Sequence, residues 1–219
     1  MKGLIENQIR NLDGVVAHRT AVLAVHWQTD VVSPEGVFGK TFAQSVLAAG
    51  VIPRTAQVLD AAREVGALVA YVNVQYWPDY VGLVRNNALF SSVIETKGFI
   101  RGTPGVQVVR ELAPKPGDVV VEHSRISSFY GSDLLNTLIG NGIETVIVTG
   151  VATNVAIDHT VRDAVQYGFR TILVEDCCCS SDPAYHEAAL LTMRVLSTAI
   201  LKMADVVALL HNSKEKKGV

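Results

Sequence analysis

Residues 145–168 read TVIVTGVATNVAIDHTVRDAVQYG, and this stretch decides the fold. It opens on TVIVTG at 145–150, an unbroken apolar run of strand length and too short for a buried helix. From Asn154 the segment NVAIDHTVRDAVQYG reads as a helix, and Gly168 stops it. A strand that is apolar throughout, rather than alternating, is covered on both faces. It therefore belongs inside a parallel sheet sandwiched between helices.

The same unit recurs outward in both directions. AVLAV at 21–25, ALVAYVNV at 67–74, DVVVE at 118–122, TILVED at 171–176 and a weaker STAIL at 197–201 are further candidate strands. VIPRTAQVLDAAREVG spaces Val51, Val58, Leu59, Ala62 and Val65 at helical intervals, with Pro53 suited to a first turn and Gly66 as the stop. SDLLNTLIGNG and DPAYHEAALLTMRVL are read as helices in the same way. The expected fold is α/β, a doubly wound three-layer αβα sandwich with a six-stranded parallel sheet. Gln75–Gly117 breaks the rhythm with scattered aromatics, four prolines and the turn GTPG at 102–105. It is expected to be a long loop with a short helix near 105–112, acting as a lid or a dimer contact. In such sheets ligands bind beyond the carboxyl ends of the strands, where the strand order reverses.

A chain of 219 residues, 49% of them hydrophobic, can bury one sizeable core. One domain over 1–212 is expected, with a disordered lysine-rich tail at 213–219. The formal charge of −2 contains no long like-charge run, which argues against nucleic acid and anionic membranes as partners. A small-molecule substrate and further copies of the chain, as a dimer or tetramer, are the expected partners. The opening MKGLIENQIRNLDG has no apolar stretch of the kind an export signal or a membrane span needs, so a cytoplasmic location is expected. Cys177, Cys178 and Cys179 are consecutive and cannot pair as an ordinary staple, which fits a reducing compartment. They are read as packing residues that follow strand five.

The strand ends carry the chemistry. AVLAVHWQTD resembles a hydrophobic strand followed by D-x-Q-x-D, and EHSRISSFYGSDL resembles E-K-x-x-x-S-x-F-x-G-T-D-L. TGVATNVAIDHTVRDAVQYG resembles T-G-V-x-T-N-x-C-V-x-x-T-A-x-D-A-x-x-x-G. These patterns are those of the isochorismatase-like hydrolases, and the resemblance runs over roughly residues 20 to 205. Cysteine hydrolases of that family use an aspartate base, a lysine and a cysteine nucleophile. The matching positions here are His26, His123 and Ala156. A methyl group cannot attack a carbonyl, so no acyl-enzyme forms at Ala156. Members that cleave isochorismate also lack the cysteine but keep the aspartate, so His26 sets this chain apart from both groups.

The resemblance further implies a cis peptide at Val151-Ala152, with the N–H groups of Ala152 and Ala156 facing an oxyanion at a helix N-terminus. His26 and His123 then either form an acid–base pair opposite that turn or are core histidines bonded to backbone carbonyls. Trp27, Gln75, Tyr76 and Asn154 are the substrate-binding candidates, although the aromatics serve equally well as packing. No cofactor and no metal are expected. A site of His26, His123 and Asp30 is the alternative, but no close histidine spacing supports it. Gln28 and Asp30 are read as ties for the loop after strand one. The expected function is hydrolysis of a small amide, ureide, imide or vinyl ether without a cysteine nucleophile. The alternative is a catalytically silent small-molecule-binding protein on the same scaffold.

Overall fold

The computed structural model describes residues 12–214. The readings made on residues 1–11 and on the tail beyond Lys214 lie outside them. Strands β1 (Thr20–Val25), β2 (Leu68–Val74), β3 (Val119–His123), β4 (Thr145–Val151), β5 (Arg170–Cys179) and β6 (Ala199–Leu201) form one sheet, parallel at every pairing, in the order β3-β2-β1-β4-β5-β6. Helices α1 (Thr29–Val32), α2 (Gly39–Ala49), α3 (Val51–Val65), α4 (Ala88–Glu95), α5 (Leu134–Gly140), α6 (Asp158–Gln166), α7 (Pro183–Met193) and α8 (Met203–Lys214) connect the strands and cover the sheet. Among the described residues no helix is long and apolar enough to cross a membrane.

Two cores make three layers. Along β1 the side chains of Val22 and Ala24 enter one buried cluster, while Ala21, Leu23 and Val25 enter the other. Every residue of β1 and β4 is buried, as their unbroken apolar runs require. β3 behaves differently, with Val120 and Glu122 exposed, because an edge strand needs covering on one face only. Arg63 of α3 ties that edge down by donating to both carboxylate oxygens of Asp118, at 3.1 and 2.7 Å.

The strand order reverses between β1 and β4. The carboxyl ends of these neighbours therefore open a crevice, the place where open parallel sheets hold ligands.

Several expectations need correction. The three cysteines do not follow β5; they are its last residues. The register slips between Val148 and Gly150, so that Val148 pairs with Leu173 but Gly150 with Cys178. The charged pair Glu175-Asp176 marks this bulge and not the strand's end. The expected helix near 105–112 is two separate 3₁₀ turns, Pro104–Val106 and Arg110–Leu112. The segment 75–117 is not all loop, since it holds α4, capped by Asn87, whose Oδ1 accepts the Phe90 N–H at 2.9 Å. Helix α2 was not anticipated. The last helix runs through Ser213, which is buried.

Candidate active site at the switch point of the sheet

The loop leaving β1 is fastened by side chains that stand in for backbone. Gln28 is fully buried; its Nε2 donates to the carbonyls of Val74 (2.9 Å) and Val106 (3.0 Å), and its Oε1 accepts the Val74 N–H (2.8 Å). Asp30 accepts the Phe99 N–H at 2.7 Å. A Cβ on Gly105 would lie 2.3 Å from the Asp30 carboxylate, so the turn GTPG needs glycine there to come this close. On the other side of the crevice Gly150 has φ +142, and a Cβ on it would meet the Val25 carbonyl at 2.2 Å. β4 then enters the cis peptide Val151-Ala152 and a single π-helical turn, Thr153–Ile157, ahead of α6.

Within this frame His26 has φ +58, a left-handed conformation that costs a non-glycine residue about 1 kcal/mol or more. Such strain persists only where the surroundings enforce it, and here the His26 N–H donates to the Val72 carbonyl at 3.0 Å. The His26 and His123 imidazoles are buried and nearly parallel, with their Nε2 atoms 2.7 Å apart.

The proton positions follow from the neighbours. His123 Nδ1 lies 3.0 Å from the Ser127 carbonyl, and a carbonyl only accepts, so Nδ1 carries the hydrogen. Neutral His123 then offers a lone pair at Nε2, to which His26 Nε2–H donates. His26 Nδ1 is then the unprotonated nitrogen of the neutral pair. Burial and the adjacent His123 hold His26 well below the ordinary imidazole value, and burial takes His123 down to about 4. Both rings are neutral near neutral pH. The Val151 carbonyl acts in the opposite sense on His26 and stabilises a proton that arrives there.

Ser127 is itself held, since its Oγ donates to Asp163 of α6 at 2.5 Å and accepts the Phe129 N–H at 3.2 Å. The loop that orients His123 is thereby tied to the helix that follows the cis turn.

A cavity of about 100 Å³ opens beside the pair. His26, Tyr76, Ala152 and Ala156 line it, with Val31, Val74, Val151, Val155 and Ile126. Sequence reading missed much of the remaining wall, namely Phe38, Phe42, Leu89, Phe90, Val93, Phe99 and Arg125. The Asn87 cap ahead of an apolar run was the available signal for α4 and hence for three of these residues. His123 is not on the lining and stands behind His26.

Three candidates are elsewhere. Trp27 is fully buried in the core, with Nε1 3.4 Å from Thr149 Oγ1. Gln75 donates its N–H to the His123 carbonyl at 2.9 Å and does not line the cavity. Asn154 faces away, its Oδ1 accepting from Ser180 Oγ at 2.5 Å, while Thr153 Oγ1 lies 2.8 Å from His186 Nδ1. These contacts buttress the outer side of the turn.

The arrangement does not suit a metal. Asp30 faces the Phe99 N–H, and two imidazole nitrogens 2.7 Å apart are at hydrogen-bond distance, too close to bracket an ion that needs ~2.0 Å to each in a tetrahedron. Among the described residues no three His, Cys, Asp or Glu side chains group as metal ligands.

Comparison with known proteins agrees with the fold and the strand-end patterns. The isochorismatase domain pattern matches residues 20–206. The chain is 31% identical to maleamate amidohydrolase of Pseudomonas putida over 149 residues, covering 68% of each chain. It is 31% identical over 190 residues to ureidoacrylate amidohydrolase RutB of Azorhizobium caulinodans, covering 80% of this chain and 82% of that one. The crystal structure of a cysteine hydrolase from Pseudomonas syringae pv. phaseolicola superposes with a TM-score of 0.82 at 25% identity, covering 91% of this chain and 95% of the other. The domain pattern takes in every strand described above, and on that extent of match the chain belongs to the isochorismatase family.

Proposed function

We propose that this chain hydrolyses a small amide-type molecule without a covalent intermediate, with His26 as general base. The carrying observation is a neutral imidazole, pinned through Nε2 by His123, on the wall of a cavity that the Ala152–Ala156 turn also lines. His26 Nδ1 removes a proton from water, and the oxygen adds to the carbonyl carbon. The N–H groups of Ala152 and Ala156, at the opening of the helical segment, receive the oxyanion. Collapse of the adduct expels the amine, which takes the proton back from His26. Positive charge on the pair is met by the Val151 and Ser127 carbonyls. His123 is a positioning residue in this scheme, because it stands behind His26 and does not line the cavity.

The relatives named maleamate amidohydrolase and ureidoacrylate amidohydrolase support an amide or ureide as substrate. The three free buried cysteines support a reducing, cytoplasmic location. Exposed Leu47, Trp77, Val81 and Val84 support a homo-oligomer.

The test is turnover of maleamate, ureidoacrylate and panels of small amides, imides and vinyl ethers, with His26→Ala and His123→Ala in parallel. Loss of ~100- to 10,000-fold in His26→Ala, with the fold intact, is expected of a positioned base. Undiminished turnover in His26→Ala overturns the mechanism. A second reading, a silent small-molecule-binding protein, is favoured by the replacement of all three family catalytic residues and by the apolar cavity walls. Stoichiometric binding with no turnover by any panel member would select it.

A further inference from the structure

The cavity is apolar almost throughout, and only His26, Tyr76 and Arg125 interrupt its hydrocarbon walls. Arg125 comes from the loop after β3 and is half-buried. Its guanidinium is fixed at two points, with Nη1 donating to the Ser124 carbonyl at 2.9 Å and Nη2 donating to the Gly82 carbonyl at 2.7 Å. Both partners are neutral, and no carboxylate pairs with Arg125 among the described residues. Arg54, Arg63, Arg85, Arg101 and Arg162 all have carboxylate partners.

A cation held in one orientation at an apolar wall, with donor capacity left on its five-donor fork, is preorganised for an anionic group from outside the protein. Tyr76 lines the same cavity, and its phenol is near enough to Arg125 to feel that charge. Burial raises its pKa to about 12, so it stays protonated and able to donate.

We propose that Arg125 and Tyr76 form a carboxylate-binding end of this cavity, and that its ligand is a compact monocarboxylate with an apolar body. The inference rests on reading the cavity as the ligand site and adds the class of ligand to that reading. Size narrows the class. The cleft is open on one side, so its volume of about 100 Å³ limits only the buried part of a ligand, to less than the about 150 Å³ of an engineered cavity that takes up benzene. The walls of Phe38, Phe42, Phe90, Val93 and Phe99 supply no hydrogen bonds to the middle of such a ligand. A polar body would be desolvated there without compensation. Carboxylate and reacting group are thus directed to different polar parts of the wall, Arg125 with Tyr76 for the first and His26 with the Ala152–Ala156 turn for the second.

The experiment is calorimetric titration of the intact protein with butyrate and isobutyrate, each against its neutral isostere, butyramide and isobutyramide. The acids are expected to bind at least about tenfold more tightly than the amides, the usual scale for charge-assisted hydrogen bonds. Arg125→Met is expected to erase that preference, so that acid and amide bind alike. Tyr76→Phe reduces it several-fold, and Arg125→Lys keeps part of it, which guards against a variant that fails to fold. Equal binding of acids and amides by the unaltered protein, or a preference that survives Arg125→Met, overturns the proposal. The result is separable from the hydrolysis reading: a carboxylate preference without turnover sinks catalysis alone, and turnover of neutral and acidic amides at equal kcat/KM sinks this inference alone.

Discussion

Two buried polar groups stand two residues apart after β1, and they differ in what their hydrogen bonds reach. Gln28 directs both ends of its amide at backbone groups of two other segments. His26 bonds by side chain to another side chain, His123, on the wall of the cavity, with the Val151 carbonyl acting on the same ring. The first pattern is that of a frame and the second that of a chemical group held by a frame. The same contrast holds across the crevice, where Asp30, Gly105 and Gly150 fix the backbone while Ala152 and Ala156 face the cavity.

The difference between the two groups is greatest at His26. Its replacement by Ala should lower turnover ~100- to 10,000-fold, equivalent to roughly 3 to 5 kcal/mol of barrier, with a smaller loss for His123→Ala. Equal losses in kcat/KM for both would make His123 a participant and not a support. Gln28→Ala should act on stability instead, by roughly 3 kcal/mol or more, because three buried backbone groups lose partners at ~1–3 kcal/mol each. Urea denaturation measures this, and a change below 1 kcal/mol would deny Gln28 its framing role.

Acid sharpens the contrast from the other side. The folded pair resists protonation, while unfolded imidazoles take up protons below their ordinary value of 6.5. Stability is therefore complete above 6.5 and is lost as the pH falls towards about 4. His123 alone accounts for about 3 kcal/mol of this. A stability profile that stays flat through that window would mean the pair is not neutral in the folded protein. The smallest effect is expected at Trp27. Its indole lies in the core with one long hydrogen bond, so Trp27→Phe should cost roughly 1 to 2 kcal/mol of stability by thermal or chemical unfolding.

The sheet was legible because its central strands carry their burial in local composition. β1 and β4 are apolar at nearly every position, and Gly66 and Gly168 end helices where left-handed backbone is needed. The end of β5 was not legible, since a bulge places Glu175 and Asp176 inside a strand they seem to terminate. At the site, the positions of His26, Tyr76, Ala152 and Ala156 could be read from strand ends and motifs. Arg125, Phe38 and Phe42 could not, and the Asn87 cap signals α4 without saying which cavity it faces. They reach the cavity through contacts that bring residues 38–42, 89–99 and 125–126 together, and no local periodicity encodes that meeting. Trp27 and Asn154 illustrate the converse, as residue types suited to binding whose side chains the backbone turns elsewhere.

In the neutral pair His26 keeps an unprotonated Nδ1, while His123 holds its proton at Nδ1 against the Ser127 carbonyl. Nitrogen-15 NMR of the histidine side chains at neutral pH measures this directly. The expected spectrum has His123 as the neutral tautomer protonated at Nδ1 and His26 as the neutral tautomer protonated at Nε2, with His26 Nδ1 unprotonated. A His26 protonated at Nδ1, or an imidazolium on either ring at that pH, would contradict the account.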